Sequence, residues 1–352
     1  MGLFDDNVNL ENYISFYIKN DLTIYRKVRD FIRNDKYVLL VKLNDKIIDD
    51  WDKRIRLDLD CIYNIKIYLS SHLEHFYDCF GFPKTTIIID LSHYTNNNII
   101  SMAHAFAGLE KLKSINFGNS FKHNKIDCWQ NTFGGCDIEE IDLSNVDFSY
   151  ANNMYKMFDK SRVKKIIFNE NIDTSNVTSF AAMFNNCRQL KEIIGLENFR
   201  FDKAEDVDNM FYYCISLEQI IFNNPKFDNV TSFALMFNNC ISLKEIKGLE
   251  HANFSKADSL DWVFCGCRKL KELDLSNAKF PSHDCSFRQM FYGCSRLKTL
   301  KINNLMIDKI YLKGSGLSYF EILKDTNKNL NIISENTNLK SILINYQKYG
   351  TF

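Results

Sequence analysis

The sequence predicts an α/β repeat solenoid, with one short helix and one short parallel strand in every 26–27 residues and a small α+β cap at the N-terminus. Three observations predict it. A phenylalanine recurs eight times at intervals of 25 to 27 residues, as Phe106, Phe133, Phe158, Phe184, Phe211, Phe237, Phe264 and Phe291. Each copy joins a stretch with apolar residues three or four apart to a stretch in which they alternate. Both ends of the chain depart from the pattern, as the end units of a stacked array must in order to seal its core.

The helix is read from the residues before each anchor. Val177, Phe180, Met183 and Phe184 fall seven, four, one and zero positions back, as do Val230, Phe233, Met236 and Phe237. That spacing predicts two or three helical turns with one buried face. The strand is read from the residues after it, as in Leu217-Glu-Gln-Ile-Ile-Phe222 and Leu270-Lys-Glu-Leu-Asp-Leu275, where a buried aliphatic is flanked by outward residues. The units of Phe133 and Phe158 each lack one residue before the aliphatic position, at Ile138 and Val163, which accounts for their shorter intervals. Parallel strands about 4.8 Å apart would give eight units a sheet on the order of 35–40 Å long, a length suited to a protein partner rather than to enclosing a small ligand.

The ends read differently. Residues 1–70 do not repeat: Leu10 to Arg33 places Tyr13, Phe16, Tyr17, Val28, Phe31 and Ile32 at roughly helical spacing, and Tyr37–Leu43, Arg54–Leu59 and Ile62–Leu69 read as strands. Residues 71–98 read as a degenerate capping repeat with Phe76 as anchor and Thr85–Leu91 as strand, residues 99–303 as the eight full units, and 304–352 as a C-terminal cap. In that last part Leu339-Lys-Ser-Ile-Leu-Ile-Asn345 echoes Leu297-Lys-Thr-Leu-Lys-Ile-Asn303.

Composition bounds the function. Forty-four basic residues balance forty-four acidic ones, so net charge gives no bulk field to draw nucleic acid or a membrane. Three prolines against 29 Phe and 17 Tyr argue for a well-packed chain over a disordered one. No apolar run is long enough for a membrane helix. The start Met1-Gly-Leu-Phe-Asp-Asp6 has neither the basic nor the apolar region of a secretory signal, and Asp6 stands where a myristoylation motif wants Ser or Thr. A cytoplasmic location is expected.

Little in the sequence points to catalysis. Cys136, Cys187, Cys214, Cys240, Cys267 and Cys294 all follow their anchors by three residues, with Leu109 and Ser161 in the other two copies. Cysteines locked to a repeat read as small buried hydrophobes, and unpaired thiols suit a reducing compartment. Zinc would need paired Cys-x₂₋₄-Cys spacings. The Cys265-Gly-Cys267 pair does not supply them. His72, His75 and Cys79 fall on one face of a predicted helix, but with Phe76 as anchor they read as structural positions of the capping unit. No phosphate loop or nucleophile motif appears, so neither an enzyme, a metal nor a cofactor is expected. Basic clusters at Lys19–Arg33 and Lys160–Lys165 leave nucleic acid as a partner that is possible but not indicated, each being more often a solvated face.

The repeat resembles the BspA-type leucine-rich repeats, including the DUF285 repeats of mycoplasma and other bacterial surface proteins. The residues that carry this are Ile141-Asp-Leu-Ser-Asn-Val146, Asp173-Thr-Ser-Asn-Val-Thr-Ser-Phe-Ala-Ala-Met-Phe-Asn-Asn-Cys187 and Met290-Phe-Tyr-Gly-Cys-Ser-Arg-Leu-Lys-Thr-Leu300, within a match over about residues 99–302. The resemblance implies a leucine-rich-repeat-like scaffold and, in many relatives, adhesion to a host; the scaffold alone does not fix a function.

On such a scaffold the strand residues either side of the buried aliphatic project from the open sheet face. They form the pairs Glu140/Asp142, Lys165/Ile167, Glu192/Ile194, Gln219/Ile221, Glu245/Lys247 and Glu272/Asp274. Ile167, Ile194 and Ile221 would make an apolar stripe rimmed by charge, as interaction patches do; equally, β-branched residues favour strands for their own sake. The expected function is a non-enzymatic, intracellular module that binds or sterically inhibits another protein through this face. The alternative is a cell-surface adhesin.

Overall fold

The computed structural model describes residues 13–19, 24–27, 38–48, 50, 52, 54–58, 61–69, 73–76, 82–95, 97–303, 322–337, 339–341 and 343–344. Strands β1 (Tyr13–Lys19), β2 (Ile24–Lys27), β3 (Val38–Leu43), β4 (Lys46–Ile47), β5 (Arg54–Leu57) and β6 (Ile62–Leu69) come first. One short strand per coil follows: β7 (Thr86–Asp90), β8 (Ser114–Asn116), β9 (Glu140–Leu143), β10 (Lys165–Phe168), β11 (Glu192–Ile194), β12 (Gln219–Ile221), β13 (Glu245–Lys247), β14 (Glu272–Leu275) and β15 (Thr299–Ile302). A last strand, β16 (Asn331–Ile333), pairs parallel with β15. The expected solenoid and its parallel strands are present, with pairings β9-β10-β11, β12-β13 and β14-β15-β16.

The helix expected in each unit is not there; the coil is a β-solenoid turn. Around the anchors the chain makes two consecutive tight turns, closed in most units by i→i+3 hydrogen bonds. In one coil these are Met183 N–H to Phe180 O (3.1 Å) and Cys187 N–H to Phe184 O (3.1 Å). The third residue of each turn is left-handed, as at Ala182 (φ 53°) and Asn186 (φ 55°), and the same two columns are left-handed in all eight units, from His104 and Gly108 to Gln289 and Gly293. That conformation ends a right-handed helix and suits the third position of a type II turn. The N–H groups of alternate residues turn to the next coil instead. Met154, Lys156, Phe158 and Lys160 donate to the carbonyls of Ser179, Ala181, Met183 and Asn185 at 2.7–3.0 Å. The helical apolar spacing arose because each turn points its first and fourth residues inward.

Those inward residues build a continuous core. The anchor rings stack coil on coil, with centroids 5.1–5.7 Å apart and interplanar angles that fall from 24° at Phe106–Phe133 to 4° at Phe264–Phe291. A second aromatic layer, including Phe148, Phe168, Phe201, Phe222, Phe227 and Phe254, lies against them. Such offset and edge-on contacts add to the burial itself.

Both ends differ from expectation where they are described. Tyr13–Lys19 and Ile24–Lys27 are strands, not helix: Ile14, Phe16 and Ile18 are buried at period 2, and the helical reading of Tyr13, Phe16 and Tyr17 mistook two faces of one strand for one face of a helix. β1 lies between β6 and β7, antiparallel to both, so one sheet of order β4-β3-β6-β1-β7-β8 joins the N-terminal strands to the first coils. In the capping unit His75 bridges Ser101 and the Phe76 N–H donates to Ser101 O, which puts Phe76 four positions ahead of the anchor column rather than in it. At the other end Leu339 and Leu343 are buried on helical backbone rather than strand, and the strand forms earlier, at β16.

Candidate interaction face

Each coil strand presents its middle aliphatic inward and its flanking residues outward, as Glu140, Ile141 and Asp142 show with the pattern exposed, buried, exposed. Register places the expected columns side by side. Lys165 pairs with Glu140 and Glu192, while Ile167 pairs with Asp142 and Ile194. Gln219 pairs with Glu245 and Ile221 with Lys247 in the next sheet, and Asp274 pairs with Lys301 in the one after.

Ile194 and Ile221 are each 39% exposed and Ile167 is half-buried, so the middle of the face carries apolar surface. The pairing is interrupted between β11 and β12, where Gly195 is left-handed (φ 87°) and opens a 3-10 turn over Leu196–Asn198. A Cβ at Gly195 would sit 3.1 Å from both the Cβ and the carbonyl oxygen of Phe168 in the preceding coil, so close backbone packing adds to the left-handed φ in favouring glycine.

Charges on the face are partly matched within it. Lys301 Nζ lies 2.8 Å from Asp274, Lys247 Nζ 3.2 Å from Glu245, and Lys165 Nζ 3.7 Å from Glu140, while the Gln219 amide donates to Glu245 at 2.7 Å. Burial works to raise the Asp274 carboxyl, but the Lys301 ammonium and the Ser276 hydroxyl and N–H outweigh it and hold it below its ordinary range. Asp142, Glu192 and Glu272 have no Lys or Arg within ion-pair distance among the described residues. The face is therefore apolar at its centre and acidic around it. Sequence reasoning passed over two residues on the same face: Ile88, 37% exposed and paired with Ser114, and Ile333, 43% exposed and paired with Lys301. The strand read at Thr85–Leu91 already held the signal for Ile88.

Of the residues weighed for chemistry, the six repeat-locked cysteines are buried, and every described cysteine is a free thiol. His75 is exposed, and its companions His72 and Cys79 lie outside the described residues. Among the described residues no three His, Cys, Asp or Glu side chains are grouped to hold a metal ion. Burial pushes the Asp208 carboxyl up, the Ser232 hydroxyl offsetting this only in part, and its buried Oδ1 has no hydrogen-bond partner. Three other coils have alanine at that position: Ala103, Ala181 and Ala234. No helix among the described residues is long and apolar enough to cross a membrane.

No curated protein matches the chain. Among solved structures it is similar to a leucine-rich repeat protein from Eubacterium ventriosum, at 14% identity over 70% of this chain and 88% of that one, with a TM-score of 0.26. The family described as "Mycoplasma protein of unknown function, DUF285" matches three times, over residues 71–195, 128–246 and 178–309. These overlapping matches cover the coils and bear out the resemblance carried by the repeat. The chain belongs to the DUF285 family.

Proposed function

We propose that this chain is a non-catalytic protein-binding module that engages its partner along the sheet face and acts in the cytoplasm by covering its target, as an inhibitor or effector does. One observation carries the reading: Ile167 and Ile194 pair side by side on the outward face, Ile221 holds the same repeat position in the next coil across the break in pairing, and the last two are 39% exposed. Scattered apolar surface residues need no explanation, but a row ringed by charge has the anatomy of an interface centre. The uncompensated Asp142, Glu192 and Glu272 favour a partner that brings apolar side chains flanked by basic ones. Free thiols at every described cysteine support a reducing compartment.

The test begins with affinity capture from the native host on the full chain, followed by affinity measurement with the recovered protein. Ile194→Asp is expected to weaken binding by roughly thirtyfold or more, the scale of an interface hot spot, with no change in melting temperature because the side chain is outside the core. Unchanged affinity would refute the patch. Recovery of the native protein at the cell surface would sink the cytoplasmic placement.

A further inference from the structure

We propose that the cleft between the coils of Phe158 and Phe184, on the rim just ahead of β10 and β11, is a binding site for a phosphate-type dianion. It is a separate site from the sheet face and does not depend on that reading. The cleft has a volume of about 390 Å³ and is lined by Lys160, Ser161, Arg162, Asn186, Arg188 and Gln189. Three cations and two amides line it, the buried Ser161 hydroxyl being turned inward to Cys136 O, and no carboxylate lines it.

The repeat geometry creates the cluster. Lys160 (φ 60°) and Asn186 (φ 55°) are the corresponding left-handed turn residues of adjacent coils, and Arg162 and Arg188 each follow by two positions. Stacking therefore puts Arg162 and Arg188, two exposed like charges, at corresponding positions of adjacent coils, where a shared counter-charge is favoured.

The protein does not supply that counter-charge well. Asp159, 3.7 Å from Lys160 Nζ, accepts a 2.5 Å hydrogen bond from the Asn185 amide. Asp137, 3.5 Å from Arg162, is held by Lys113 Nζ at 2.8 Å. Glu110, the other carboxylate that feels Arg162, is paired with Lys84 at 2.6 Å. Among the described residues Arg188 has no carboxylate within ion-pair distance. Its guanidinium instead lies over the Tyr213 ring of the following coil at 5.6 Å and donates from Nε to Asn186 Oδ1 at 3.4 Å, two contacts that restrain it.

A planar guanidinium held in place presents a fork of N–H groups that matches two oxygens of a tetrahedral oxyanion. Two arginines and a lysine, with amides beside them, suit a dianion of several oxygens better than a halide or a single carboxylate. Free phosphate and a phosphorylated side chain both offer this chemistry.

The test is a titration of the full chain followed by NMR of the arginine Nε–H groups, at near-neutral pH and constant ionic strength. One arm uses inorganic phosphate and the other a short phosphoserine peptide; sodium chloride is the control. Saturable shifts of the Arg162 and Arg188 signals in either arm are expected, and the tighter arm identifies the source. The Arg162→Gln/Arg188→Gln double variant should bind at least about tenfold more weakly, since it loses two charge-assisted contacts, while Arg188→Lys should fall between. Both positions are exposed, and an unchanged melting temperature will show that the variants remain folded. Shifts that follow ionic strength alone, or a double variant that binds like the parent, would overturn the site.

Discussion

The thiol ladder shows how a residue that looks chemically equipped can be silenced by its place in a repeat. Each ladder cysteine donates its S–H to the carbonyl of the anchor phenylalanine one coil back, from 2.9 Å at Cys136–Phe106 to 3.1 Å at Cys294–Phe264. Ser161 does a similar job in its coil, its hydroxyl donating to Cys136 O at 3.2 Å. Burial pushes the Cys136 and Cys240 thiols up to about 12 and the other four in the same direction. The reactive species is the thiolate, so these groups should be inert in the native protein. Exposed Cys61 has no such burial. Mild alkylation at pH about 8, read by peptide mass spectrometry, is expected to modify Cys61 and to spare Cys136, Cys187, Cys214, Cys240, Cys267 and Cys294 until denaturant is added. Ladder thiols that react as fast as Cys61 would mean the coils do not pack as described. The ladder was legible in the sequence because its fixed three-residue offset from the anchors already marked these cysteines as structural.

The element between anchor and preceding strand was legible in its period but not in its backbone. Phe180, Met183, Phe184 and Cys187 point inward because they are the first and fourth residues of two consecutive turns, and that yields the same three-and-four spacing as one face of a helix. What separates the two is the left-handed pair of columns; the one after each anchor is mostly Gly or Asn (Gly108, Gly135, Asn186, Asn239, Gly266 and Gly293), whereas the one before it holds Asn only at Asn131 and Asn209. A recurring Asn or Gly at a fixed offset is the sequence mark of such turns, but just past the anchor it equally marks the end of a helix, so the two readings share it. The strands were read correctly because a buried aliphatic between two polar neighbours has one interpretation at that length. At Ala182 the difference can be tested by sign. Left-handed backbone costs a non-glycine residue about 1–2 kcal/mol, whereas glycine inside a helix costs about 1 kcal/mol relative to alanine. With φ at 53°, Ala182→Gly should stabilise the protein by roughly 0.5–1 kcal/mol, allowing for the entropy glycine regains on unfolding. Denaturant midpoints compared at equal slope will show it; a lower midpoint would favour the helix.

At the scale of the whole molecule, the N-terminal strands do more for the array than their lack of repeat signature suggests. A parallel stack must end somewhere, and its terminal strand carries a row of unpaired N–H and C=O groups. At this end β7 is covered by β1 in antiparallel pairing, Ser15 to Asp90 and Phe16 to Ile89, and β1 is backed in turn by β6 and β3. Ile14, Phe16 and Ile18 are at most 1% exposed, and the Phe16 ring packs edge-on against Phe82 at 5.2 Å. Each such side chain contributes about 1.5–3 kcal/mol by burial, so the three together contribute roughly 5–9 kcal/mol, comparable to the whole stability of an ordinary domain. A chain beginning at residue 71 would lose that term and leave Ile89, Leu91 and Tyr94, all fully buried here, beneath an open strand edge. In a repeat array each coil rests on the one before it, so the loss should propagate from β7 into the first coils rather than stay local. The shortened chain is expected to melt well below the full chain and to self-associate through β7, giving a concentration-dependent mass by light scattering. A monomer with the parent melting temperature would show instead that residues 71–98 seal the array alone and that the first six strands serve another purpose.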